Sequence, residues 1–173
     1  MDVVIWRGSC ERPSSERENV RRTDPLATSA ALFIGYTGLM VSIERRLRRT
    51  GGPGIIAFEL AGNASRAEDM MDAWGSEGQR YARLSLWLDF GYMLTYGALT
   101  ALLLDGARRR RGHPAALPAL AAVAVAGDAV EGISLLNVLK GRRVGANARR
   151  ARTAALAKFA VLAGCLGYVA AAR

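Results

Sequence analysis

The stretch LSLWLDFGYMLTYGALTALLL, Leu84 to Leu104, holds a single charged residue, Asp89, among 21 residues. As a helix rising about 1.5 Å per residue, the run reaches about 31 Å, the thickness of a bilayer's hydrocarbon core. Length and polarity together read as a membrane span. An acid inside it costs roughly 2.5–3.5 kcal/mol even on lenient insertion scales, so Asp89 is expected to face protein rather than lipid.

Three further runs have the same character. Residues 25–43 are uncharged and lie between Asp24 and Glu44, with Gly35 and Gly38 as contact points for a neighbouring helix. Residues 115–139 carry Asp128 and Glu131, with Pro118 tolerated in the first turn, and residues 153–172 carry Lys158. The chain is therefore expected to be all-α, a membrane four-helix up-down bundle formed by residues 26–173 behind a polar tail of residues 1–25. Between the first and second spans, Gly51-Gly52-Pro53-Gly54 breaks the helix, and the short apolar segment IIAFELAGN carries Glu59. Ser65 with Glu68 resembles a capping box, and Ala67, Met70, Met71 and Trp74 then recur at helical spacing until Gly75. This predicts one short amphipathic surface helix, on the same side as the 140–152 loop.

The net charge of +9 suggests nucleic acid until the positions of the arginines are considered. Arg45 to Arg49, Arg108 to Arg111 and Arg142 to Arg152 cluster at the ends of apolar runs, where lipid headgroups are the natural partner. With no aromatic-basic platform or zinc spacing beside them, nucleic acid is not an expected partner. The two cysteines, Cys10 and Cys165, form no redox motif, and the one histidine, His113, sits in an Arg-rich loop beside Pro114. Neither a metal site nor a cofactor is expected. The expected location is the cell membrane, multi-pass, with both termini cytoplasmic because the tetra-Arg loop is short and tight.

Helical counting places the intramembrane charges together. Measured from Arg83 and Arg152, Asp89 and Lys158 each lie about 9 Å into their helices. Measured back from Lys140, Glu131 lies about 13 Å in and Asp128 about 18 Å. In an up-down bundle all four distances start from one membrane face. Ser85, Asp89, Tyr92, Tyr96 and Thr100 form one stripe of the second span, and Asp128 and Glu131 share a face with the small residues Ala121, Ala124 and Gly132. Asp89 and Lys158, equal in depth, are expected to meet directly or through a bridging water. The remaining acid excess should keep Asp128 or Glu131 protonated. The candidate ligand-binding residues are thus Asp89, Tyr92, Tyr96, Asp128, Glu131 and Lys158, with Asp89, Asp128 and Glu131 as candidate catalytic acids.

Several segments, FELAG at Phe58 to Gly62, AWGSEG at Ala73 to Gly78, LWLDFGYMLTYG at Leu86 to Gly97, GDAVEG at Gly127 to Gly132 and AKFAVL at Ala157 to Leu162, together resemble a group of small bacterial four-span membrane proteins. The resemblance covers roughly residues 52–164. It implies the same architecture and singles out the same acids, and it names no substrate.

Three functions fit such a chain. The leading one is binding of a small amphipathic or cationic ligand, or a proton, at the acid and lysine cluster. The second is a membrane-embedded acid/base enzyme, an isomerase or cyclase acting on an isoprenoid or lipid, with Tyr92 or Tyr96 assisting. The third is a structural subunit whose polar face is covered by a second copy or another membrane protein. A lone register-fixing ion pair accounts for one acid and the lysine but leaves the other acids without a role.

Overall fold

The computed structural model describes residues 24–172, so the tail of residues 1–23, with Cys10, lies outside the described residues. Five helices follow in order: α1 (Pro25–Arg48), α2 (Ile55–Glu59), α3 (Ala64–Arg111), α4 (Ala119–Leu139) and α5 (Val144–Ala171). Among the described residues there is no strand. Four of the helices are long and apolar enough to cross a membrane, which makes this a multi-pass, all-α membrane protein.

The boundaries of α1 and α3 have local causes. Asp24 accepts a hydrogen bond from the Leu26 amide at 3.0 Å and Pro25 occupies the first turn, while Arg45, Arg46 and Arg48 lie in the last turn of α1. α3 is capped by Asn63, which accepts from the Arg66 amide at 2.9 Å, two residues ahead of the expected Ser65 box. It ends on Gly112 in the left-handed conformation after four arginines. Residues 115–118 form turns, so α4 begins at Ala119 rather than at Ala115. α5 begins at Val144, nine residues ahead of the expected start, and draws Arg149, Arg150 and Arg152 into the helix below the membrane segment.

The surface helix and the second span are one continuous element. At Gly75 the backbone leaves helical geometry, with φ 59° and ψ −167°, a conformation open essentially to glycine alone. The chain bends there and resumes at once. Gln79 donates its side-chain amide to the Met71 carbonyl at 3.0 Å, satisfying an acceptor near the bend. Ala67 and Trp74 are buried on the inner face of the surface segment, whereas Arg66, Glu68, Asp69 and Asp72 are exposed, as its amphipathic spacing requires.

The densest packing lies at this end of the bundle. Leu47, Phe58, Trp74, Leu86, Leu135 and Val138 join α1 to α4 in one buried core beneath the surface segment. α2 is plugged into it: Phe58 meets Trp74 edge to face at 4.9 Å, the Trp74 indole donates to the Pro53 carbonyl at 2.7 Å, and Glu44 accepts from the Ile55 amide at 3.1 Å. Gly52 and Gly54 permit this approach, since a Cβ on either would strike Trp74 or the Glu44–Arg48 pair. Along the outer faces of the spans, Leu32, Ile34, Trp87, Leu94 and Ile133 point outward, the distribution expected of helices solvated by acyl chains. At the opposite end of the bundle Arg111 donates to the Ala171 carbonyl and His113 shares a 2.8 Å hydrogen bond with Tyr168, tying the end of α3 to the end of α5.

Candidate functional site

α4 and α5 are joined by a four-residue turn, residues 140–143, and pack against each other along most of their length. That places Lys158 opposite the acidic face of α4. Its Nζ lies 2.7 Å from Asp128 Oδ1 and 2.8 Å from Glu131 Oε2, with both carboxylates 2% exposed and the lysine 8%. The second contact is off the hydrogen-bonding direction, so charge rather than a directed bond holds Glu131 Oε2. Ala121, Ala124 and Gly132 are buried on the same face of α4, as the small-residue stripe anticipates.

Among the described residues Lys158 pairs directly with Asp128 and Glu131 and not with Asp89, which reaches it through Asp128. Equal depth brought the two to one level, but α4 lies nearer α5 than Asp89 does, and its acids take the lysine. Asp89 instead meets the carboxyl of Asp128, and Glu59, carried in from α2, meets that of Glu131. Two carboxyl groups in contact require a proton between them. Asp128 already accepts from Lys158 on one oxygen and from the Tyr96 hydroxyl, at 2.7 Å, on the other. Both Asp128 oxygens are thus engaged where Asp89 meets it. Asp89 and Glu59 thereby join Asp128 and Glu131 as the acids between which protons are shared. Burial and then the facing Glu131 push the Glu59 carboxyl well above its ordinary range. With two protons in place, four carboxyls and one lysine carry a net charge of −1.

A cavity of about 600 Å³ adjoins this cluster. α1 leans on α3, α5 packs on α4 and α3, and the cavity occupies the gap left between α1 and α5. Its wall includes all five residues of the α3 stripe, Ser85, Asp89, Tyr92, Tyr96 and Thr100, together with Asp128 and Lys158. Glu44, Arg48, Ile56 and Glu59 line the end near α2, and Leu99, Leu103, Leu162 and Leu166 line an apolar stretch toward the opposite face. Glu131 sits behind this surface.

Comparison with family models, curated proteins and solved structures finds no match. The site must therefore be read from its own chemistry.

α1 supplies groups that the sequence reading passed over. The Thr37 hydroxyl donates to the Phe33 carbonyl at 2.7 Å, so its 3.2 Å contact with Tyr92 is a hydrogen bond given by the tyrosine. The Phe33 ring stacks on Tyr92 with centroids 5.6 Å apart, and Tyr92 meets Tyr96 edge to face at 5.9 Å. Tyr36 donates to the Leu88 carbonyl at 2.8 Å, across Gly91, where any Cβ would collide with the Tyr36 hydroxyl. Phe33, Tyr36, Thr37 and Met40 recur at i, i+3, i+4 and i+7, a periodicity that marks this face in retrospect. No group of three or more His, Cys, Asp or Glu among the described residues is arranged to hold a metal ion.

Proposed function

We propose that this membrane protein binds a single-chain amphipathic molecule, with its apolar part along Leu99, Leu103, Leu162 and Leu166 and its polar end against Asp89, Tyr92 and Tyr96. The supporting observation is that the cavity of about 600 Å³ has the carboxyl cluster on its wall and hydrocarbon side chains beyond it. At about 30 Å³ per non-hydrogen atom, a volume of this order admits roughly 20 such atoms, enough for one chain with a small head and too few for a two-chain phospholipid. A proton alone needs no such space, and a register-fixing pair needs neither the space nor Asp89 and Glu59.

Membrane-embedded acid catalysis on an isoprenoid or lipid is a second reading, favoured by one feature. The carboxyl of Asp89 lines the cavity at its contact with Asp128, and a proton shared there can be transferred to a double bond or carbonyl of a bound chain.

The binding reading is tested by mass spectrometry of small molecules retained by protein purified in lipid nanodiscs. Leu162→Trp, which fills the apolar part, is expected to remove a single-chain species retained by the wild type while thermal stability is kept. Identical retained species in both proteins, or a stoichiometric partner protein in place of any small molecule, sinks the proposal.

A further inference from the structure

The binding reading leaves open the charge of the head, and two independent features of the cavity bear on it. The first is the sign of the wall. Lys158 is engaged by Asp128 and Glu131, so it has little attraction left for an anion. A phosphate or carboxylate head entering here meets a cluster already at −1 and finds, among the described residues, no unengaged cation near Asp89. The second is the aromatic group. Phe33, Tyr92 and Tyr96 all line the cavity and touch ring to ring beside Asp89. Aromatic faces next to a carboxylate are the arrangement that recognises alkylated ammonium groups.

Resting on the cavity-binding reading, we propose that Asp89 is a cation-exchange site: the alkylated ammonium head of a single-chain amphiphile replaces the proton that Asp89 shares with Asp128. One positive charge enters and one leaves, so the buried cluster keeps its net charge through the exchange. Every packed element contributes to the field at Asp89. α4 brings Asp128 and Glu131, α5 brings Lys158, α2 brings Glu59, and α1 brings the Glu44–Arg48 pair at the end of the cavity. Glu59 and Glu131 share a proton of their own, and Glu44 is paired with Arg48 at 2.6 Å, so the exchangeable charge falls to Asp89. The head fits where the Tyr92 and Tyr96 rings flank the acid, and the chain follows the leucines toward the opposite membrane face.

The experiment uses the full-length protein in nanodiscs and three probes of one chain length: dodecyltrimethylammonium, dodecanol and dodecanoate. Binding is read by equilibrium displacement with empty nanodiscs subtracted, from pH 5.5 to 8.5. The permanent cation is expected to bind at least about tenfold more tightly than the alcohol, as a desolvated cation–π and ion-pair site allows. Its affinity should rise about tenfold per pH unit while one proton is released per cation, with dodecanol unaffected by pH. Asp89→Asn, whose amide can still donate to Asp128, should erase both the preference and the pH slope while leaving dodecanol binding as the control for folding. Dodecanol binding equal to or tighter than the cation, dodecanoate preferred, or a flat pH profile overturns the exchange site and leaves cavity binding standing. Failure of all three probes to bind overturns both.

Discussion

Among the described residues Lys158 is the only cation in the carboxyl cluster, which makes its removal the sharpest test of the cluster's energetics. Lys158→Met leaves Asp128 and Glu131, each 2% exposed, facing one another without a counter-charge. Breaking a buried pair by deleting one partner costs about 3–5 kcal/mol, and here one deletion orphans two acids. Asp128→Asn should cost less, about 1–3 kcal/mol, because Lys158 keeps Glu131 and the amide oxygen still accepts from Tyr96. The triple variant Lys158→Met with Asp128→Asn and Glu131→Gln removes the charges together and should return to within about 2 kcal/mol of the wild type, since a buried ion pair exchanged for neutral groups of similar size is often close to neutral. Unfolding free energies are read by titrating a denaturing detergent into mixed micelles while following tryptophan fluorescence. If the triple variant is as unstable as the summed single variants, the three groups are not coupled and the cluster geometry is wrong.

Two other perturbations probe the end of the bundle near α2. Gly75→Ala forces a side chain onto a backbone of φ 59° and ψ −167°, and should cost about 1–3 kcal/mol in thermal unfolding; an unchanged melting temperature refutes the fixed bend. Glu59 lies on the α2 plug with its carboxyl raised by burial and by Glu131, so its contribution to stability is complete below the ordinary value of 4.5 and is lost as pH rises through the raised one. Glu59→Gln should therefore gain stability relative to wild type as pH increases, and parallel stability–pH curves for the two proteins count against the buried Glu59.

The spans were legible because lipid imposes long apolar runs, and the phase of the buried acids because a helix repeats every 3.6 residues. Asp128 and Glu131 did share a buried face, and the Ser85 to Thr100 stripe did line one cavity. What counting could not supply was lateral position. Depth alone paired Asp89 with Lys158, whereas the short α4–α5 turn gives Asp128 and Glu131 first access to the lysine. α2 escaped for a different reason. Five residues carry no usable periodicity, and the docking of Glu59 depends on Trp74, Pro53 and Glu44, which come from three separate stretches of chain. Gly75 was legible as a break, but nothing local distinguishes a glycine that ends a helix from one that bends it.

The four-residue turn between α4 and α5 also has a consequence for how the protein enters the bilayer. α1 carries no charge from Pro25 to Ile43 and can partition unaided. α4 carries two acids within its length, each costing roughly 2.5–3.5 kcal/mol to leave in lipid alone, and the lysine that pairs with both is on the following helix. α4 and α5 are therefore expected to insert as one hairpin. A nascent chain stopped after Gly141 should leave α4 outside the bilayer, and one extended beyond Lys158 should bring it in; equal protection of α4 from protease at both lengths refutes the hairpin. Membrane insertion of the third span is then delayed until translation has reached the fourth.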